Sequence, residues 1–121
     1  MSTKTILVVD DEKNLRLFYE KELTEEGYRV LLASDAREAL ECLRSVRPDL
    51  VVLDIKMPGM DGLEALGRIV SRDNSIRVIL NSAFSSYKES FMSWAADAYL
   101  TKSSDLTELK QTIHRLLGER E

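Results

Sequence analysis

One cysteine, two prolines and five glycines among 121 residues are too few for a disulfide scaffold or a Pro/Gly-rich disordered chain. Cys42 has no partner cysteine, and with His114 as the single histidine no zinc site of the usual Cys/His type can be assembled. A reducing cytoplasm is therefore the expected setting. Long apolar runs are missing as well: Ile6 to Val9 and Leu50 to Leu53 are far short of a membrane span, and no charged-then-apolar leader precedes the first of them. Neither export nor anchoring is expected. Basic residues are not in excess, since 17 Lys plus Arg against 21 Asp plus Glu leave a net charge of −4. That sign disfavours direct binding to nucleic-acid phosphates.

What the chain does have is a 44% hydrophobic content, and a chain of this size buries roughly two thirds of the surface it exposes when unfolded. It is expected to fold alone, as one domain over residues 1–121 with no room for an output domain. Thr5 to Val9, Tyr28 to Ala33, Leu50 to Leu53 and Ile76 to Leu80 are short and rich in Val, Ile and Leu, as strands buried on both faces should be, with a weaker fifth run at Ala98 to Leu100. Between them apolar residues recur at helical spacing. Leu15, Phe18, Tyr19 and Leu23 mark a first helix, Ala36, Ala39, Leu40 and Leu43 a second, and Leu63, Leu66 and Val70 a third. A fourth, around Ser86 to Ala95, carries Tyr87, Phe91 and Trp94, and a fifth carries Leu106, Leu109, Ile113 and Leu116. Asp35 with Glu38, and Asp105 with Glu108, have capping-box spacing, while Gly27 and Pro48 follow the first two helices. Strict alternation of strand and helix argues for a parallel α/β sheet covered on both faces.

In such a sheet ligands bind beyond the carboxyl ends of the strands. Asp10 and Asp11 follow the first strand, Asp54 ends the third, Ser82 ends the fourth and Lys102 follows the fifth, so all five are expected at one edge. Asp10 and Asp11 can share a site only if the strand stops at Val9, because consecutive strand residues face opposite sides. Three carboxylates buried together need either protons or a compensating cation, and a hard divalent ion is the natural compensator. Mg²⁺ (or Mn²⁺) suits an oxygen-only donor set better than zinc does. Lys102 and the Ser82 hydroxyl can then serve an anion with several oxygens, and a carboxylate can itself be the nucleophile. Asp54, just before the tight turn Met57-Pro58-Gly59-Met60-Asp61-Gly62, is the best placed for that role. By contrast, Cys42 reads as a small core residue, Phe91 and Trp94 as packing residues or, as an aromatic cluster on an outer helix, a partner surface, and His114 as a solvated side chain near a helix end.

Ile6-Leu7-Val8-Val9-Asp10-Asp11-Glu12, the stretch Pro48-Asp49-Leu50-Val51-Val52-Leu53-Asp54 running on through Gly62, and Tyr99-Leu100-Thr101-Lys102 together resemble a response-regulator receiver domain of two-component signalling. The resemblance covers nearly the whole chain. It implies a doubly wound, flavodoxin-like (βα)5 fold with a five-stranded parallel sheet of order 2-1-3-4-5. It also implies that Asp54 accepts a phosphoryl group from a histidine kinase or a histidine phosphotransfer protein. Asp10, Asp11, Asp54 and the Lys56 backbone carbonyl would hold Mg²⁺, and Lys102 and Ser82 would contact the phosphoryl oxygens. Ser82 and Tyr99 would be the switch pair, reporting to the face made by the fourth helix, fifth strand and fifth helix. That face would meet a downstream protein, a missing effector domain, or a second copy in a phosphorylation-dependent homodimer. Such a domain is not an enzyme on an external substrate; it catalyses only its own phosphorylation and dephosphorylation. Lys56 and Phe84, two residues after Asp54 and Ser82, would tune the phosphoryl lifetime.

Three positions depart from the family pattern on the output side. Ser103 replaces a proline that usually follows the lysine, Ala95 a glycine that commonly ends the fourth helix, and Asn81 an apolar residue. They keep in view a second reading, a degenerate receiver acting as a constitutive protein-interaction module. A flavodoxin-like nucleotide-binding module fits less well, because Asp10, Asp11 and Glu12 stand where such a module places a phosphate-binding loop.

Overall fold

The computed structural model describes residues 3–54, 67–73, 75–83 and 96–118. The five apolar runs form strands β1 (Thr5–Val9), β2 (Arg29–Ala33), β3 (Leu50–Asp54), β4 (Arg77–Ser82) and β5 (Ala98–Thr101). All pair in parallel in the order β2-β1-β3-β4-β5, the order the resemblance implies. Strand order reverses between β1 and β3, which makes that point of the carboxyl edge the expected ligand crevice. Three strands run past their apolar cores, because the ladder continues through Asp54 opposite Asn81 and Ser82 opposite Thr101. Backbone pairing does not require an apolar side chain.

Side-chain alternation splits the interior in two. Leu7, Val9, Val51, Leu53, Val78, Leu80 and Tyr99 face one way and pack with Ala39 and Ile69, from the second helix and a helical stretch at residues 67–72. Ile6, Val8, Leu50, Val52, Ile79 and Leu100 face the other way and pack with Tyr19, Leu23, Leu109 and Ile113. The first helix, α1 (Lys13–Glu25), therefore lies with the C-terminal helix (Thr107–Leu116) on one face of the sheet, and α2 (Ala36–Cys42) lies on the other. Cys42 is half-buried against the α2-side core, as expected.

Helix ends follow the sequence in part. Gly27 takes φ +99°, with Gly27 N–H donating to the Thr24 carbonyl and Tyr28 N–H to the Leu23 carbonyl, a Schellman stop that a glycine accommodates without strain. Asp35 caps α2 by accepting from Glu38 N–H at 2.8 Å. Glu38 itself reaches back to the Ser34 N–H and hydroxyl, one residue further than a capping box requires. The expected box at Asp105 and Glu108 is not formed. Asp105 accepts instead from the Thr107 N–H and hydroxyl, and Leu106 is the N-cap, because an Asx turn bonds two residues on and delays the helix. Leu63, Leu66, the 57–62 turn and the expected fourth helix with Tyr87, Phe91, Trp94 and Ala95 lie outside the described residues.

Candidate functional site

β1 stops at Val9, so the chain turns at Asp10 and both acidic residues reach one edge. Asp10 is held there on every side. Its N–H donates to Ala33 O, its Oδ1 accepts from Glu12 N–H at 2.9 Å, and its carbonyl accepts from the Arg16 guanidinium at 2.7 Å. Its remaining oxygen, Oδ2, lies 2.9 Å from Lys102 Nζ, which also stands 3.1 Å from Asp54 Oδ1. From the end of β5 the lysine must cross the end of β4 to reach them. Both carboxylate oxygens are fully buried and make no hydrogen bond of good geometry, so the ammonium compensates their charge without saturating their lone pairs.

Asp10, Asp11 and Asp54 each offer a carboxylate oxygen within 4.8 Å of the others. Three carboxylates and one ammonium leave two negative charges, the amount a divalent ion neutralises. Oxygen donors with unsatisfied lone pairs are what Mg²⁺ takes, so the residues fit that ion. The electrostatics register the crowding. Burial, then the adjacent Asp10 charge, raise the Asp54 carboxyl from 3.8 to about 6, with Lys102 opposing them. Burial works against the Lys102 ammonium, but Asp10 and Asp54 outweigh it and its pKa rises.

Ser82 is fully buried at the last rung of β4, and Tyr99 is buried in the α2-side core. By alternation the two share a sheet face, and Lys102 N–H donates to Ser82 O at 2.6 Å. Lys56 and Phe84 lie outside the described residues. The structure thus brings together Asp10, Asp11, Asp54 and Lys102, with Ser82 beside them. Two further polar residues have partners that periodicity and spacing do not reveal. Asn81 donates from Nδ2 to the Tyr19 hydroxyl at 2.9 Å, both side chains buried beside the carboxylates. In the sequence only the polarity of Asn81, directly after the apolar run Val78-Ile79-Leu80, points that way. His114, expected in solvent, instead meets the Tyr28 hydroxyl at 3.1 Å and Glu26 at 3.4 Å.

A doubly wound parallel sheet with an acidic, cation-bearing pocket at its switch point defines a class of phosphoryl-handling module, and comparison with known proteins narrows it. The response regulator receiver domain family matches residues 6–114. Sporulation initiation phosphotransferase F of Bacillus subtilis is 34% identical over 119 residues, covering 97% of this chain and 96% of its own. Response regulator MprA of Mycolicibacterium vanbaalenii is 40% identical over 114 residues, 93% of this chain; the chain spans about half the length of MprA (49%). Among solved structures, response regulator TrrA of Thermotoga maritima in complex with Mg²⁺-BeF superposes with a TM-score of 0.86 at 46% identity, over 94% of this chain and 99% of that one. TrrA bound to histidine kinase ThkA gives 0.85 at 46% identity, over 95% and 99%. The chain belongs to the response regulator receiver domain family: it is a phosphoacceptor switch module of two-component signalling. Among the described residues no helix is long and apolar enough to cross a membrane.

Proposed function

We propose that Asp54 is the phosphoryl acceptor of this switch and that residues 1–121 act as a single receiver unit in the cytoplasm. The observation that carries the assignment is the convergence of Asp10, Asp11, Asp54 and Lys102 on the switch point, with Asp54 paired to Lys102 and raised to about 6. At neutral pH an Asp54 of that pKa is largely ionised and keeps a lone pair for attack. The donor is a phosphohistidine on a histidine kinase or histidine phosphotransfer protein, a partner class supported by the TrrA–ThkA complex. An Asp54 oxygen forms the new P–O bond as the P–N bond breaks. The bonding pair leaves with the imidazole, which departs neutral when its other nitrogen carries a proton.

Asp10, Asp11 and Asp54, with the Lys56 carbonyl, would hold Mg²⁺, which would supply charge stabilisation for the transferring group. Lys102 leaves the carboxylates to neutralise a phosphoryl oxygen, and the Ser82 hydroxyl donates to another. Ser82 and Tyr99, on one face of the sheet, then carry the change to the face of the fourth helix, β5 and the C-terminal helix. Output is a change in what that face binds, whether a downstream protein or a second copy. Hydrolysis by an in-line water resets the switch, with Phe84 and Lys56 setting its rate.

Intact-mass measurement after incubation with acetyl phosphate and Mg²⁺ tests this assignment. One phosphate adduct is expected, absent in Asp54→Asn and lost faster from Phe84→Ala than from the parent. An unmodified parent chain favours the constitutive interaction module, for which Ser103 and Ala95 speak.

A further inference from the structure

Asn81 is a polar residue in a strand whose neighbours Val78, Ile79 and Leu80 are wholly buried hydrocarbon. Its register places it directly opposite Asp54 on β3 and opposite Leu100 on β5. Asp10 follows Val9, which pairs with Leu53, so Asp10, Asp54, Asn81 and Leu100 form one row across the carboxyl end of the sheet. By alternation all four face the α1 side, continuing the core of Val8, Val52 and Ile79. Asn81 is therefore the wall of Asp54 on one flank, as Asp10 is on the other.

Tyr19 reaches this row from α1, and its hydroxyl accepts the Asn81 amide N–H at 2.9 Å. That bond decides which way the amide points, since its nitrogen side is committed to α1. It also leaves the Tyr19 proton available to an acceptor, in a region where the charges of Lys102, Asp10 and Asp54 all bear on that hydroxyl. An apolar pair would fill the same volume without the desolvation two polar groups incur. Asn81 thus brings a polar group, anchored on Tyr19, to the strand position directly opposite Asp54.

We infer that Asn81, oriented by the Tyr19 hydroxyl, is a positioning residue for phosphoryl acceptance at Asp54, holding the carboxylate for attack between Asp10 and the Lys102 ammonium. This rests on Asp54 being the acceptor. An acid flanked by hydrocarbon on the β4 side would lose that polar neighbour, and small misplacements of a reacting group slow transfer steeply.

The test compares Asn81→Leu, Tyr19→Phe and the double variant in the whole chain. Each is followed for labelling by acetyl phosphate with Mg²⁺ by intact mass and for stability by denaturant midpoint. Each single change is expected to lower the maximal labelling rate about 3- to 10-fold with the half-saturating Mg²⁺ concentration unchanged. The double variant removes both polar partners, so its stability recovers toward that of the parent. Its labelling stays slow. A double variant that labels as fast as the parent overturns the role of the pair and leaves it a packing feature. A parent chain that takes no phosphate overturns the Asp54 assignment itself, and this inference with it.

Discussion

Lys102 Nζ stands 3.1 Å from Asp54 Oδ1, so the cation expected to meet an incoming phosphoryl group is already engaged with the carboxylate proposed to accept it. The same ammonium holds Asp10 Oδ2 at 2.9 Å. A metal ion held by these carboxylates would therefore compete with the lysine for them. Lys102→Ala is expected to bind Mg²⁺ roughly 3- to 10-fold more tightly, because a competing charge a few ångströms away is gone. Phosphoryl acceptance is expected to slow by about 10- to 100-fold, as when one donor to a developing charge is removed. Titration calorimetry with Mg²⁺ checks the first half, and weaker metal binding in the variant would sink the idea.

The acidity of Asp54 makes metal-free stability depend on pH. Its carboxyl titrates near 6 when folded against an ordinary 3.8, so the folded chain holds that proton more tightly than the unfolded one. The resulting stabilisation is fully present below about pH 4 and is lost as pH rises through 6. Asp54→Asn, which never ionises, should therefore be more stable than the parent at neutral pH without Mg²⁺, by up to roughly 3 kcal/mol for a side chain this buried. The gap should close toward pH 4 and on adding Mg²⁺. Denaturant melts across that range decide the matter, and a variant less stable than the parent at neutral pH contradicts the account.

Tyr28 and His114 tie the end of α1 to the C-terminal helix, with the hydroxyl 3.1 Å from Nδ1 and ring centroids 5.7 Å apart. Glu22 and Glu26 meet Lys110 at 2.8 and 3.7 Å along the same seam. Tyr28→Phe keeps the ring and removes the hydrogen bond, so unfolding free energy should fall by about 0.5–1.5 kcal/mol. Labelling at Asp54 should not change, since the seam is at the far end of α1 from Asp10. A slowed labelling rate in this variant would show that the seam is coupled to the pocket.

Much of this molecule is legible without coordinates. Five short apolar runs in alternation with helical stripes specify a parallel sheet, and strand-end positions alone bring Asp10, Asp11, Asp54, Ser82 and Lys102 to one edge. Period-two and period-3.6 patterns record which side of an element is buried, and a parallel sheet puts every strand's carboxyl end at the same edge. Patterns of that kind carry no information about neighbours across the sheet. Tyr19 sits on the apolar stripe of α1 and reads as core, which it is, yet its hydroxyl partner depends on where α1 lies over β4. Asn81 reads as an exception with no cause until register sets it beside Asp54.

His114 and Asp105 make the same point at the surface. A histidine near a helix end is ordinarily solvated, and only the packing of α1 against the C-terminal helix gives it Tyr28 and Glu26 as partners. Asp105 has cap spacing, yet the chain turned before the helix began, a choice settled by the Thr107 N–H and hydroxyl. The sheet, its two cores and the residue types gathered at the pocket follow from the order of amino acids, because periodicity and strand polarity are local properties of the chain. Which oxygens Lys102 approaches, how far Asp54 is shifted and what stands beside it come from the packed fold. Those depend on distances between residues far apart in sequence, and electrostatic and hydrogen-bond energies change over single ångströms.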